Sequence, residues 1–232
     1  MNLSGYIDHT SFLDGGKIAI DTHFNGVQNI VQSLNRTALR KFIQIGSSDE
    51  YGTLPSPQIE TMRESPISPY SLGKVASTHL LQMLYKTEKF PSVILRLFLV
   101  YGPGQDDKRF IPQVIKGCLS KVKFPASTGR QIRDFCYIDD ITRGILISLE
   151  NDKINGEVIN LASGKSIYIK DVITKVREIV GYGFPEFGAI PLRLGESSSL
   201  FADIEKANKF IKWTPEISID YGLKRTIKYF SD

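Results

Sequence analysis

Residues 41–47 read Lys-Phe-Ile-Gln-Ile-Gly-Ser, and residues 69–74 read Pro-Tyr-Ser-Leu-Gly-Lys. The first stretch is a short apolar run that ends near a glycine, which predicts a buried β-strand. The second begins with proline, a residue favoured at the first position of a helix, and apolar side chains at helical spacing continue through residues 71–88. Another strand-like run occupies residues 92–98. A strand, a long helix and a second strand in this order predict an α/β fold with parallel strands.

The composition is that of a globular protein without a strong charge. Of the 232 residues, 41% are hydrophobic and 23% are charged, and the net charge is +4. The basic residues are spread along the chain, so a nucleic-acid-binding surface is not expected. The sequence has no apolar run of about 20 residues, the length that crosses a bilayer, and no signal-peptide core. Cys118 and Cys136 match no metal-binding spacing. We therefore expect a cytoplasmic protein that binds neither a metal ion nor a membrane.

Helical and strand-like segments alternate along the first two thirds of the chain. The predicted segments are helices at 17–36 and 71–88, strands at 41–45, 92–98 and 157–161, and a helix that Asp139 and Asp140 cap and that ends at Leu149. This alternation is typical of parallel strands covered by helices.

The character of the sequence changes at about residue 166. Beyond that point, helices are predicted at 169–180, 203–211 and 219–230, around a glycine- and proline-rich segment at 181–191. We therefore expect a smaller C-terminal lobe that packs against the sheet.

Tyr70 and Lys74 are four residues apart and therefore share one face of the predicted helix. A phenol keeps its proton up to a pH of about 10, but a neighbouring ammonium group favours the phenolate and lowers the pKa. Ser47, at the end of the preceding strand, can place a hydroxyl beside the same oxygen. A tyrosine tuned in this way can exchange a proton with a sugar hydroxyl during alcohol–ketone redox chemistry. Tyr85 and Lys89 have the same spacing but lack such a serine.

Several motifs of the chain resemble those of one enzyme family, in sequence and in order. The motifs are residues 45–52 (Ile-Gly-Ser-Ser-Asp-Glu-Tyr-Gly), 69–74, 95–105 (Leu-Arg-Leu-Phe-Leu-Val-Tyr-Gly-Pro-Gly-Gln), 129–140, 193–196, 202–203 and 213–215. They are similar to those of the extended short-chain dehydrogenases/reductases, and within these to the NAD-dependent nucleotide-sugar epimerase/dehydratase family. The resemblance implies a partial Rossmann-type parallel sheet flanked by helices, with a smaller mixed C-terminal substrate lobe. The implied domains are a cofactor domain, 1–108 and 134–165, and a substrate domain, 109–133 and 166–232.

The same resemblance implies roles for individual side chains. Ser47, Tyr70 and Lys74 would form the catalytic triad, and Lys74 would also hold the ribose of NAD or NADP. The residues that would contact the cofactor are Leu3, Ser4, Gly5, Gly46, Tyr70 and Lys74. The residues at the position of the nucleotide-diphosphate sugar are Leu99, Arg133 and Arg193, and the two arginines would bind the diphosphate. Ser48 and Asp49 are candidates for an extra acid or base.

One feature of the family is missing from the sequence. Folds of this kind hold the cofactor pyrophosphate at a turn of the Gly-x-x-Gly-x-x-Gly type before a helix, and none of the 19 glycines gives that spacing. The first residues, 2–5, are similar to the loop at the end of the family's fourth strand. We therefore expect the chain to lack the glycine-rich N-terminal part, which is about 60 residues or two βαβ units.

The resemblance leaves three functions open. The first is NAD(P)-dependent epimerisation or 4-keto reduction of a nucleotide-activated sugar, and some motifs look most similar to reductases such as CDP-abequose synthase. The second is 4,6-dehydration, in which Asp49 would act as the base on a shorter side chain than the family's glutamate. The third is a cofactor-deficient module that binds a sugar nucleotide or a partner protein. The family also implies a homodimer through helices 17–36 and 71–88.

Overall fold

The computed structural model of the chain describes residues 1–192 and 195–231. Its strands are β1 (Phe42–Ser47), β2 (Ser92–Leu97), β3 (Leu99–Tyr101), β4 (Lys123–Ala126), β5 (Ile132–Arg133), β6 (Phe135–Tyr137), β7 (Val158–Leu161), β8 (Ile167–Tyr168), β9 (Phe184–Phe187) and β10 (Ser199–Leu200). Its α-helices are α1 (Lys17–Ile20), α2 (Gly26–Ser33), α3 (Pro69–Glu88), α4 (Phe110–Leu119), α5 (Ile138–Glu150), α6 (Ile169–Val180), α7 (Glu205–Ile211) and α8 (Ile219–Ser231).

The middle strand of the central sheet is β2, and the strand order is β1-β2-β7. Both neighbours run parallel to β2, so Leu95 lies between Ile45 on one side and Ile159 on the other. Val93, Ile94 and Leu95 have no solvent-exposed surface. A continuous apolar run of this kind is typical of a parallel strand that helices cover on both faces.

Alternate side chains of the sheet enter two separate cores. The core on one face also receives side chains from α5 and α7, and it contains Ile43, Val93, Leu95, Ile141, Ile159, Leu161, Ala207, Ile211 and Trp213. The core on the other face receives side chains from α2 and α3, and it contains Val27, Val31, Phe42, Leu81, Leu84, Ile94 and Val158. Helices therefore cover both faces of a parallel sheet, and the predicted α/β fold class is confirmed.

The long helix α3 begins at Pro69, slightly before the predicted start. The Ser68 hydroxyl accepts a hydrogen bond from the Ser71 N–H (3.1 Å), and the Ser71 hydroxyl accepts one from the Ser68 N–H (3.0 Å). This reciprocal cap fixes the first turn of the helix. A Cβ atom at Gly73 would lie only 3.1 Å from Cβ of His23. The glycine therefore lets the N-terminal helical segment pack closely against α3.

The N-terminal helical segment differs from the single helix predicted at 17–36. It starts earlier, because a π-helical turn at Phe12–Gly16 precedes α1, and a second π-helical turn at Asp21–Asn25 separates α1 from α2. It also ends sooner, because the backbone of Leu34 is extended (φ −74°, ψ 135°). The predicted boundaries are therefore wrong at both ends. Single π turns within helices are frequent at functional sites, and the second one carries the buried His23.

The C-terminal lobe contains small sheets of mixed direction. In one of them β5 pairs parallel with β10 and antiparallel with β8, and in another β4 pairs parallel with β9. β9 lies inside the segment 181–191, which the sequence analysis describes as glycine- and proline-rich. No strand was predicted there. Side chains of α4, α6 and α8 form the core of this lobe. The mixed lobe is therefore present, while the exact domain boundaries remain a prediction.

Asp139 and Asp140 do not cap α5 as predicted. The N-cap position belongs to Tyr137, and the two aspartates lie in the first helical turn. The buried Asp140 carboxylate accepts hydrogen bonds from the N–H groups of Glu216 (3.0 Å) and Ile217 (2.9 Å). Asp140 therefore ties the segment after α7 to the start of α5, and both carboxylates still interact favourably with the helix dipole.

In the part of the chain that the structure describes, no helix has the length and hydropathy needed to cross a bilayer. The longest of these helices, α3, is amphipathic, since Leu81 and Leu84 are buried while Lys86 and Glu88 are exposed. The cytoplasmic location remains a prediction.

Candidate active site

Ser47 is the last residue of β1 and lies at the carboxyl end of the central sheet. Open parallel sheets bind their ligands at this edge. The Ser47 N–H donates a hydrogen bond to Oε1 of Glu50 (2.9 Å), and the Ser47 hydroxyl accepts one from the Asp49 N–H (3.1 Å). The two bonds form a capping box around the short 3₁₀ turn Ser48–Tyr51. They hold the Ser47 side chain in place at the strand end.

Glu50 is fully buried and links Ser47 to a network of charges. Its Oε2 accepts hydrogen bonds from the Thr78 hydroxyl (2.7 Å) and from Nε of Arg96 (2.9 Å). Arg96 is also fully buried and forms a second ion pair with Glu64. A Cβ atom at Gly46 would lie 2.7 Å from Oε1 of Glu50. Gly46 thus leaves room for this carboxylate, and its predicted contact with a cofactor remains a prediction.

Tyr70 and Lys74 lie in the first two turns of α3, beside the end of β1. Both are buried, with 4% and 6% of their surface exposed. The Lys74 ammonium lies 5.8 Å from the centre of the Tyr70 ring and donates a hydrogen bond to the Ile45 carbonyl (2.9 Å). The Ser47 side chain is close enough to the Tyr70 hydroxyl to lower its pKa. The fold therefore brings together the three residues predicted from the sequence.

The pKa values of this group differ from the expectation. Burial raises the pKa of Tyr70 to about 12, although Ser47 acts in the opposite direction. Burial lowers the pKa of Lys74 to about 8, against the attraction of Glu50 and Asp49. The prediction that Lys74 brings the tyrosine toward neutrality is therefore wrong for the chain alone, because burial has the largest effect on the Tyr70 pKa and the charges of Asp49 and Glu50 raise it further. At neutral pH the Tyr70 hydroxyl is protonated and can donate.

The N-terminal loop, residues 2–9, is fastened to the edge of β1. The Asn2 N–H donates a hydrogen bond to the Ile43 carbonyl (2.8 Å), and the Asn2 side chain donates one to the Gln44 side chain (2.9 Å). The Ser4 hydroxyl and N–H then donate to the Asn2 side-chain oxygen (2.6 and 3.0 Å). These bonds fix the start of the loop beside the first half of β1.

Gly5 lets this loop cross directly over His23. Its φ is 126°, and a Cβ atom there would lie 2.3 Å from the His23 ring. The ring N–H of His23 donates a hydrogen bond to the Tyr6 carbonyl (2.7 Å), and the ring stands edge-on to Tyr70 with centroids 4.9 Å apart. The loop therefore contacts the active site through His23, whose ring packs against Tyr70. The Leu3 side chain is 65% exposed, and the predicted cofactor contacts of the loop remain predictions.

We expect the stability of the fold to decrease at mildly acidic pH because of His23. Burial lowers the His23 pKa, and the charge of Lys74 lowers it further. Below a pH of about 6.5 the unfolded chain protonates this histidine while the folded chain resists, so the free energy of unfolding decreases as the pH falls below that value. Denaturant unfolding at pH values of about 7.5 and about 5.5 measures the effect.

The variants His23→Gln and His79→Gln separate this effect from general acid instability. The His79 side chain is 59% exposed and pairs with Glu64 (3.3 Å), so its variant measures what a surface histidine adds to the pH dependence of the wild type. The His23→Gln variant should lose part of it. An unchanged pH dependence in His23→Gln would contradict the assignment.

The N-terminal loop also brings His9 to the site. Nε2 of His9 lies 3.7 Å from Oδ2 of Asp49, and the His9 ring stands edge-on to Tyr70 with centroids 5.7 Å apart. Burial raises the pKa of Asp49, while the charges of His9, Arg109 and Arg133 act in the opposite direction. Asp49, one of the two predicted extra acid–base residues, therefore lies among cationic side chains close to Tyr70.

Arg133 lies in β5 and is buried. It forms an ion pair with Glu196 (2.5 Å) and donates a second hydrogen bond to the Ile132 carbonyl (2.8 Å). Its charge also acts on Asp49, so the guanidinium belongs to the same site. These contacts orient Arg133, and its binding of a diphosphate remains a prediction.

Leu99, Ser48 and Arg193 are the other residues predicted for the site. Leu99 lies in β3 and packs against the apolar side chains of the C-terminal lobe. Ser48 is buried in the 3₁₀ turn that follows β1. Arg193 lies outside the described residues. The roles of these residues therefore stay predictions.

A family model described as the NAD dependent epimerase/dehydratase family matches residues 4–162. This span is more than half of the chain and includes Ser47, Tyr70 and Lys74. The chain belongs to the NAD dependent epimerase/dehydratase family. The family assignment made from the sequence motifs is therefore confirmed, and so is the prediction that the chain is a member of an enzyme family.

Three similar proteins show the extent of the likeness. The UDP-glucuronate 4-epimerase of Thermodesulfobacterium geofontis is 30% identical over 223 residues, which cover 94% of this chain and 67% of the relative. The structure of UDP-glucuronic acid 4-epimerase from Bacillus cereus, in complex with UDP-glucuronic acid and NAD, has 33% identity and a TM-score of 0.84, covering 91% of this chain and 68% of that one. UDP-glucose 4-epimerase from Thermotoga maritima, with UDP-glucose, has 26% identity and a TM-score of 0.87, covering 94% and 72%.

The family is named for its nicotinamide cofactor, NAD. Lys74 fits the part of NAD that carries the nicotinamide ribose. The buried Lys74 ammonium has three N–H donors and uses one on the Ile45 carbonyl, so it can also bind a ribose hydroxyl. The Bacillus cereus neighbour holds NAD, and the prediction of a nicotinamide cofactor is confirmed at the level of the family. The glycine-rich turn that would hold the pyrophosphate has no counterpart in residues 1–232.

Sequence reasoning missed Glu50, His9 and Arg109. A signal for Glu50 exists, because Arg96 interrupts the apolar run of β2 and a buried guanidinium needs a buried acidic partner. The contacts of His9 and Arg109 depend on how two loops cross the carboxyl end of the sheet. No spacing in the sequence indicates them.

Proposed function

We propose that the chain catalyses 4-epimerisation of a UDP-linked hexose or hexuronate through a transient ketone, with a nicotinamide cofactor. The observation that carries the proposal is the convergence of Ser47, Tyr70 and Lys74 at the carboxyl end of β1. The likeness to UDP-glucuronate and UDP-glucose 4-epimerases supports the substrate class. Reduction of a 4-keto sugar, as in CDP-abequose synthase, and 4,6-dehydration are the alternative reactions.

Tyr70 transfers the proton at the reacting oxygen. Since its pKa is about 12, the hydroxyl donates a proton to the ketone oxygen in the reductive half of the reaction. The oxidative half requires the deprotonated form of Tyr70, whose phenolate accepts the proton of the sugar hydroxyl. Ser47, whose N–H is held by Glu50, donates a second hydrogen bond to the same oxygen. Two donors stabilise the negative charge that develops there.

Lys74 has two functions in this proposal. Its free N–H groups bind the nicotinamide ribose, and the bound nicotinamide supplies the hydride acceptor and donor. Its pKa of about 8 leaves most of the ammonium charged at neutral pH. A positive charge near a phenol favours the phenolate, so Lys74 assists the oxidative half of the reaction.

The cationic residues beside Asp49 bind the nucleotide diphosphate. A guanidinium can form paired hydrogen bonds with phosphate oxygens, and Arg133 is held in a fixed orientation by Glu196. The charge of Arg109 lowers the pKa of both Asp49 and Tyr70, which supports a role for Arg109 near the reacting group. We assign the diphosphate to Arg133, with Arg193 as a second contact.

Cofactor binding and turnover test the proposal together. We expect calorimetry of the whole chain to detect NAD or NADP binding, and we expect Lys74→Met to weaken it about tenfold or more, since a hydrogen bond to a charged group contributes about 1.5–3 kcal/mol. UDP-glucuronate and UDP-glucose, incubated with the chain and NAD, should yield their 4-epimers in the NMR spectrum.

The matched control is Lys89→Met, at the other end of α3. The Lys89 ammonium lies 5.8 Å from the Tyr85 ring, as Lys74 does from Tyr70, so this variant should bind the cofactor like the wild type. Binding of a UDP-sugar without any nicotinamide would instead support the cofactor-deficient module. Net consumption of NADH with a 4-keto sugar would indicate a reductase.

We also propose the homodimer that the family implies. Leu72 and Met83 are 47% and 44% exposed, and their separation of about three helical turns places them on one face of α3. Ile18 in α1 is 61% exposed. Exposed apolar side chains on these two helical segments support their pairing with a second copy of the chain.

A further inference from the structure

A continuous path of ion pairs and hydrogen bonds leads from an exposed histidine on α3 to the backbone of Ser47. Nε2 of His79 lies 3.3 Å from Oε2 of Glu64, and Oε1 of Glu64 lies 2.5 Å from Nη2 of Arg96. Nε of Arg96 donates a hydrogen bond to Oε2 of Glu50 (2.9 Å). Oε1 of Glu50 accepts one from the Ser47 N–H (2.9 Å). Each step of this path is a direct contact between charged or hydrogen-bonding groups.

We propose that Glu64 and His79 are positioning residues for Ser47, which they influence through Arg96 and Glu50. Glu64 acts by fixing the guanidinium of Arg96, and His79 acts by pairing with Glu64. The inference rests on the proposed function, in which Ser47 donates a hydrogen bond to the reacting oxygen. It adds a control of that donor from the outer surface of α3.

Glu64 differs from an ordinary surface carboxylate in its burial and in its partners. The side chains of Arg96 and Glu50 are fully buried, and that of Glu64 is only 13% exposed. Burial acts to raise the pKa of Glu64, but the hydrogen bond and charge of Arg96 and the charge of His79 outweigh it and lower the pKa. One buried guanidinium therefore faces two carboxylates. Buried charges are stable only when they are matched, so the second carboxylate needs a further cation.

His79 supplies that cation in a form that depends on pH. Its side chain is 59% exposed, so the imidazole exchanges protons with water. In the part of the chain that the structure describes, Glu64 is the charged group that contacts His79, while Arg96 and His79 are the charged groups that face Glu64. A protonated imidazole shares the charge of Glu64. With a neutral imidazole, Arg96 has to balance both carboxylates.

Glu50 passes the state of the network on to the reacting groups. It accepts hydrogen bonds from the Ser47 N–H (2.9 Å) and from the Thr78 hydroxyl on α3 (2.7 Å). Burial is the main cause of the raised pKa of Tyr70, and the charge of Glu50 adds to it. The extent to which Arg96 neutralises Glu50 therefore affects both the placement of Ser47 and the electrostatic potential at Tyr70.

The direct test follows the Ser47 amide signal by NMR in the whole isotope-labelled chain, over a pH range of about 5.5–8 in which histidines titrate. We expect this signal to shift with the same midpoint as the ring protons of His79. That component should be absent in His79→Gln and in Glu64→Gln. It should persist in His9→Gln, which removes the histidine beside Asp49. The inference is overturned if the Ser47 signal does not respond, or if it responds in His79→Gln or Glu64→Gln as in the wild type.

The kinetic test compares kcat for 4-epimerisation at pH values of about 5.5 and about 8. Glu64→Gln should lower kcat by about 2- to 30-fold, the range in which network residues modulate a distant site. His79→Gln should lower kcat at the acidic value and change it little at the alkaline one. His79→Lys, which is charged at both values, should keep the wild-type rate at the acidic value. A folded Glu64→Gln protein with the wild-type kcat at both values would contradict the inference.

The matched control is Glu88→Gln, which removes an exposed carboxylate at the end of α3. Glu88 pairs with Arg36, and its side chain is 44% exposed, so this variant should behave like the wild type in both tests. Circular dichroism shows whether each variant is folded. Failure of the proposed function appears separately, as the absence of 4-epimer formation by the wild type, because the Ser47 titration requires neither cofactor nor substrate.

Discussion

Tyr70→Phe is expected to slow 4-epimerisation by about 10²–10⁴-fold, the usual contribution of a positioned proton donor. The change removes one oxygen and keeps a ring that is 4% exposed and packs edge-on against His23 and His9. The fold should therefore be retained. Because the hydroxyl acts on the reacting oxygen, the loss should appear in kcat at saturating UDP-sugar, with little change in KM. Initial rates from the NMR signals of the two epimers measure both constants.

Tyr85→Phe is the matched control for this variant. Tyr85 lies in the same helix and has Lys89 four residues later, but its ring packs against Gly156 on a different part of the surface. This variant should turn over at the wild-type rate. A Tyr70→Phe protein that is folded and equally active would show that another group transfers the proton.

Arg96→Met is expected to lower the free energy of unfolding by about 3–5 kcal/mol, the loss typical of removing one partner of a buried ion pair. Methionine fills part of the space of the arginine side chain but leaves Glu50 buried without its guanidinium partner. Among the residues that the structure describes, the Thr78 hydroxyl and the Ser47 N–H then remain as donors to Glu50. Urea unfolding followed by circular dichroism measures the loss. Activity should decrease as well, since Ser47 depends on the position of Glu50.

Arg36→Met provides the comparison with an exposed ion pair. Arg36 pairs with Glu88, and the two side chains are 45% and 44% exposed. Surface pairs of this kind contribute about 0–1 kcal/mol, so this variant should unfold at nearly the wild-type urea concentration. Equal losses for the two arginine variants would mean that the buried network has little more effect on stability than a surface pair.

The sequence was sufficient for the parts of the fold that strong local patterns determine. β1, α3 and β2 were predicted within a few residues, because their apolar periodicity and the Ser68–Pro69 helix start agree with their burial. The convergence of Ser47 and Tyr70 also followed from the order of the motifs. Where local preference and tertiary packing favour the same conformation, reading the sequence succeeds.

The remainder depends on contacts between distant segments. The strand β9 contains Pro185 and follows Gly183, both poor local signals for a strand, and it forms through its pairing with β4. The π turn around His23 lies where the N-terminal segment packs against Gly73. The pKa of Tyr70 was predicted in the wrong direction, since spacing indicates the neighbouring lysine but not the loss of water. Such properties belong to the assembled structure.

The hydrogen bond from Lys74 to the Ile45 carbonyl has a consequence for how the protein loses activity. It joins α3 to β1 where Ser47, Tyr70 and Lys74 meet. The geometry of the site therefore depends on the docking of the helix. Release of α3 from the sheet separates Tyr70 and Lys74 from Ser47 at once. We therefore expect catalytic activity and the docking of α3 on the sheet to be lost together.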